Sequence, residues 1–104
     1  MAIEKVEKTD LGHYFDNLSR VLPTESVDIE VVGRDVGDQP AAQGARLEGI
    51  SYDAANDTIV LYLGNSGEHN IAGPTEVYVD QDDDGLKSIE VTCKEGHKHI
   101  VKLT

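Results

Sequence analysis

Lys87-Ser88-Ile89-Glu90-Val91-Thr92-Cys93-Lys94-Glu95-Gly96-His97-Lys98-His99-Ile100-Val101-Lys102-Leu103 is the stretch whose reading decides the fold. Apolar side chains recur at every second position on both sides of Lys94-Glu95-Gly96, which is the period of a half-buried strand. A short loop ending in Gly suits a hairpin, because Gly accepts the left-handed bulge position there. That register pairs Ile89 with Val101, Val91 with His99 and Cys93 with His97 on one face. It sets Glu90 against Ile100 on the other, between Lys98 and Lys102. A loop one residue shorter would mix Ile89 and Val91 with the lysines, so the longer loop is required. The chain therefore ends in an antiparallel pair with one dry face.

Immediately upstream, Asp80-Gln81-Asp82-Asp83-Asp84-Gly85 joins this hairpin to another strand, 75–80, built on Val77 and Val79 with Tyr78 opposed. Its alternating carboxylates and Gly match positions 1, 3, 5 and 6 of the EF-hand loop. Asp80, Asp82 and Asp84 are thus candidate calcium ligands, with the Leu86 carbonyl and a water near Ser88 completing the shell. Position 12, which should supply a bidentate Glu, is Val91, and Glu90 comes one residue early. A calcium site of this kind belongs to the weak class, with Kd about 10⁻⁴–10⁻³ M. The competing reading is an acidic hairpin turn opened by Gly85.

Further toward the N-terminus, 47–52 and 58–63 form a hairpin across 53–57, with Asn56 suited to the left-handed position. Ile59-Val60-Leu61-Tyr62-Leu63 is apolar on both faces, the mark of a central strand. Gly73-Pro74 interrupts the chain, so His69-Asn70-Ile71 is a short or edge strand. Val27, Ile29 and Val31 alternate with Asp28 and Glu30 in one more strand, and 33–44 reads as a polar loop. Leu11, Tyr14, Phe15, Leu18, Val21 and Leu22 recur at three- and four-residue spacing, one stripe of a helix. Thr9 or Asp10 can cap it and Pro23 ends it. Residues 1–8 are charged and aperiodic, a flexible lead-in to a single α+β domain at 9–104. The expected fold is α+β: one N-terminal helix packed on a five- or six-stranded antiparallel sheet or small curled barrel.

The 104 residues carry 20 acidic and 9 basic side chains, a formal charge of −11. That balance opposes a nucleic-acid backbone or an anionic membrane as partner, and favours a basic protein if charge selects one. A lone cysteine, no signal-like apolar run at the start and no membrane-length apolar segment point to the cytoplasm.

From Val27 onward the chain resembles a small bacterial family known only as a domain of unknown function. The likeness rests on Ile29-Glu30-Val31-Val32-Gly33, Leu47-Glu48-Gly49-Ile50-Ser51-Tyr52-Asp53, Pro74 with Glu76-Val77-Tyr78-Val79, and Gly85-Leu86 leading to Ile89-Glu90-Val91. It implies a compact bacterial cytosolic domain and brings no activity, cofactor or catalytic residue.

Among reactive side chains, Cys93, His97 and His99 share a face and are of types that bind zinc or copper. A closed structural site needs a fourth ligand, and only His69 or His13 remain. The alternative is a small hydrophobe, Cys93, with histidines at the rim of a terminal hairpin. No Gly-rich loop links a strand to a helix, so nucleotide binding is not expected. With no oxyanion-hole loop beside Cys93 and His97, the chain reads as non-enzymatic and without a cofactor other than weakly bound calcium. It reads as a bacterial domain that works through protein contacts. The alternatives are the cation site at 80–85 and an acidic inhibitor of a basic protein.

Overall fold

Among the described residues, eight strands lie in one sheet, and every neighbouring pair runs antiparallel. In the computed structural model, which describes residues 2–21, 25–33, 37–64, 67–82 and 85–103, the strands are β1 (Ala2–Val6), β2 (Glu25–Gly33), β3 (Gly37–Asp53) and β4 (Thr58–Leu63). They are followed by β5 (Gly67–Ala72), β6 (Pro74–Asp82), β7 (Gly85–Cys93) and β8 (Lys98–Leu103). The order across the sheet is β1-β6-β7-β8-β2-β3-β4-β5. Helix α1 (Leu11–Val21) is entered through a 3-10 turn at Lys8–Asp10 and packs against β3.

The terminal hairpin has the register its alternation demands, with Ile89 opposite Val101, Val91 opposite His99 and Glu90 opposite Ile100. Gly96 takes the left-handed conformation at φ 84°, and Lys98 reaches the Glu90 carboxylate at 2.9 Å on the wet face. The second hairpin, β3–β4, also forms, but its left-handed residue is Asp57 (φ 48°), not Asn56. Asn56 instead donates from its side-chain amide to Asp53, which also accepts from the Ala55 and Asn56 N–H groups. This Asx-type turn uses Asp53 to organise the loop and passes the positive φ to the following residue.

Three expectations are corrected. Residues 1–8 are not a free lead-in: Ala2–Val6 pairs with β6, from Ala2 opposite Gln81 to Val6 opposite Val77. A five-residue strand with charges among its side chains shows no readable period, and that composition makes it look like a tail. Of the polar loop 33–44, Gly33 and 37–44 are strand, since Gly33 lies opposite Gly37 and Ile29 opposite Ala42, and residues 34–36 lie outside the described residues. Ladder bonds come from the backbone, so a polar run can extend a strand without apolar alternation. β1 adds a strand and 37–44 lengthens β3, and the described residues form eight strands where five or six were expected.

The sheet curls but does not close, with β1 and β5 as its two edges. Bulges produce the curl. The β2–β3 register shifts between Val27 and Ile29 and again before Glu30, and β3–β4 shifts between Leu47 and Gly49. At the first of these, Gly44 turns at φ 62° and donates its N–H to Asp28 Oδ1 at 2.7 Å. Gly73 (φ 64°) makes the corner from β5 into β6, pinned by bonds from its N–H to the Asp57 carbonyl and from the Lys94 N–H to its own carbonyl.

One face of the curl holds the core. Val27, Ile29, Leu47, Ile59, Leu61, Val77, Val91 and Val101 are buried along the strands, and Leu11 and Phe15 join them from the helix. Tyr14 and Leu18 border the same cluster, and the Tyr14 ring meets Phe15 edge-on at 5.6 Å. Val21 is the last helical residue, while its side chain and Leu22 lie outside the described residues. No described helix is long and apolar enough to cross a membrane.

Candidate functional site

Directly opposed residues in an antiparallel ladder point to the same face. His99 lies opposite Val31 on one side and Val91 on the other, and Val91 is buried, so His99 points inward. His69 lies opposite buried Leu61 and points inward from β5. In sheet order β5 and β8 are separated by β2, β3 and β4, yet the curl brings the two imidazoles together. His69 Nε2 stands 3.0 Å from His99 Nδ1, with ring centroids 5.2 Å apart and planes tilted at 58°. The difference between these two distances is about two ring radii, so the nitrogens sit almost on the line joining the ring centres. That is the arrangement of a direct N–H···N hydrogen bond. Two ligands of one metal would instead aim their lone pairs at a third point.

Burial lowers the pKa of both rings, and for His99 the neighbouring His69 and His97 lower it further, to about 4. At neutral pH both are uncharged, and one donates while the other accepts. His97 turns to Glu95, with Nδ1 3.8 Å from the carboxylate, and Cys93 is a buried free thiol. Among the described residues, no three of His, Cys, Asp and Glu assemble into a group able to hold a metal ion. The alternation reading found the inward face of His99. It named His69 only as a candidate fourth ligand and not as the hydrogen-bond partner of His99, because nothing local links the two.

A second cluster centres on Asp57. Tyr52 donates its hydroxyl to Oδ1 at 2.5 Å, Lys8 donates to Oδ2 at 2.9 Å, and Lys94 stands 3.6 Å from the same oxygen. The hydrogen bond to Asp57, then burial and the charges of Asp57 and Asp53, push Tyr52 up to about 12. The Tyr52 and Lys8 hydrogen bonds, followed by the charges of Lys8 and Lys94, hold the Asp57 carboxyl below the usual range. Both carboxylate oxygens are engaged, so Asp57 fastens the β3–β4 turn to the helix entry and the β7–β8 loop. The available sequence signal was the turn 53–57 itself, which begins and ends on an Asp.

Of the proposed calcium ligands, Asp80 is described. It lies on the outer face opposite Ser88 and Ile3, in a recess of about 100 Å³ that also includes Tyr78 and Glu90. Its Oδ1 is buried and has no hydrogen-bond partner among the described residues. Asp82 pairs with Gly85 through the backbone, but its side chain lies outside the described residues, as do Asp83 and Asp84. Ser88 stands opposite Asp80 in the β6–β7 ladder.

The model of the family of unknown function DUF5335 matches residues 2–104. An uncharacterised protein of Aquifex aeolicus is 37% identical over 103 residues, covering 99% of this chain and 93% of that protein. No solved structure matches. The chain belongs to the DUF5335 family.

Proposed function

We propose that this member of the DUF5335 family is a non-catalytic cytosolic domain that acts by docking another protein along an open edge of its sheet. The carrying observation is the unclosed ladder, whose edge strand β1 displays Ile3 at 67% exposure. An edge strand offers a row of unpaired N–H and C=O groups to an incoming strand, and an apolar side chain beside it adds contact area. Glu4 and Lys5 follow Ile3 and restrict the edge to partners that match their charges. The chain's charge of −11 favours a basic partner, including one that the domain inhibits. Affinity capture from the native host with wild type and Ile3→Glu, at low and high salt, tests this. A specific partner held by wild type, lost with Ile3→Glu and weakened by salt supports it. A partner indifferent to Ile3→Glu rejects edge docking.

A second reading rests on the unpartnered Asp80 Oδ1. A divalent cation held by Asp80, Asp82 and Asp84 would satisfy that oxygen, and at ten times its Kd would add about 1.4 kcal/mol to stability. Thermal melts in calcium and in magnesium at matched ionic strength decide it. A rise specific to calcium and abolished by Asp80→Asn supports the site. Equal rises with both cations, unchanged in Asp80→Asn, reject it.

A further inference from the structure

We propose that His69 and His99 form a protonation-controlled latch across the open side of the curled sheet, holding β5 against β8 while the pair has a neutral ring and releasing when both rings are charged. Among the described residues the backbone ladder bonds β5 to β4 only, so contacts across the interior hold its inner face to the opposite wall. The imidazole bond at 3.0 Å is such a contact, and it spans strands separated by three others in the sheet.

An N–H···N bond requires one nitrogen to accept. The neutral pair meets this requirement, and so does a singly protonated pair, in which an imidazolium donates to the remaining lone pair. The second proton removes the last acceptor and leaves two like charges at hydrogen-bond distance in a half-buried setting. Among the described residues, the side chains that face the pair from the neighbouring strands do not offset that charge. β4 brings Leu61 to the pair, β2 brings Val31, and β7 brings Val91 with Cys93 one inner position beyond. His97 adds a further positive charge when protonated, and Glu95 answers His97, not the pair. Release frees the β5 edge and uncovers Leu61 and Ile71, so acid converts a packed strand into an accessible one.

Two measurements test the latch. Amide exchange, normalised to intrinsic rates, reads each hairpin separately between about pH 7 and about pH 4. Protection in β4–β5 is expected to fall about tenfold or more while β6–β7 keeps its own, and His69→Gln is expected to flatten the β5 response. Equal loss in both hairpins, or an unchanged β5 response in His69→Gln, overturns the proposal. Nitrogen-detected imidazole titration of the wild type needs no variant to fold. Coupled protonation of the two rings below the ordinary histidine range supports the latch, and independent titration at ordinary values overturns it.

Discussion

The His69–His99 pair and the Asp57 cluster do the same mechanical job by opposite electrostatics. Each ties together parts of the curl that the backbone ladder leaves apart. The imidazole pair works because it is half-buried and keeps a neutral ring to accept, while Asp57 works because it is charged and gathers two lysines and a phenol. Their responses to solution conditions must therefore differ. His99 in the folded state has its pKa lowered from 6.5 to about 4, so the unfolded chain takes up protons first as pH falls. The contribution is whole above about 6.5 and is lost as pH drops toward about 4. Asp57 is lowered from 3.8, so its contribution persists above that value and is lost only as pH falls through the folded-state pKa. Between those limits acid weakens the histidine tie alone.

The largest expected effect removes the core on which both ties depend. Phe15 is 0% exposed, and Phe15→Ala is expected to cost about 3–5 kcal/mol in chemical denaturation. A loss under about 1 kcal/mol would mean that the helix is peripheral and that the ties alone hold the curl.

Next in size is the acid response. Stability measured from about pH 6.5 down to about pH 4.5 is expected to fall in wild type and to fall less in His69→Gln. Identical slopes would place the titration in other groups and dissolve the contrast with Asp57.

At the Asp57 cluster, Asp57→Ala removes the carboxylate and leaves a Cβ at φ 48°, whereas Asp57→Gly removes the carboxylate but accepts that conformation. Both variants are expected to melt below wild type, with alanine the lower. Equal melting temperatures would show that the bonds to Tyr52 and Lys8 carry the whole effect and the backbone none.

The smallest effect belongs to Lys94, whose side chain is 67% exposed and 3.6 Å from Asp57. Lys94→Gln is expected to lower stability slightly at low salt and not at high salt, as screening removes an exposed pair. A salt-independent loss would point to packing of the Lys94 stem over Gly73, which it approaches closely.

Alternation and turn chemistry made both hairpins legible, together with the inward faces of Val91, His99 and Val101 and the helix stripe with Phe15 at its centre. β1 was missed because Ala2-Ile3-Glu4-Lys5-Val6 is too short and too charged to show a period. The first half of β3 was missed because its pairing with β2 rests on the backbone. At the site, the reading placed Cys93, His97 and His99 on one face, and the structure turns His99 to His69 on the opposite wall while His97 turns to Glu95 and Cys93 is buried.

What the sequence by itself determined is which side of each strand is dry, because a period of two is written in consecutive residues and needs no partner to be read. Which dry residues meet was decided only by the tertiary structure. The bulges near Gly44 and Leu47 and the corner at Gly73 set the curl of the whole sheet, and only that curl brings His69 within 3.0 Å of His99. Local spacing carries no information about a distance across the interior, because that distance is the sum of every bend between the two strands.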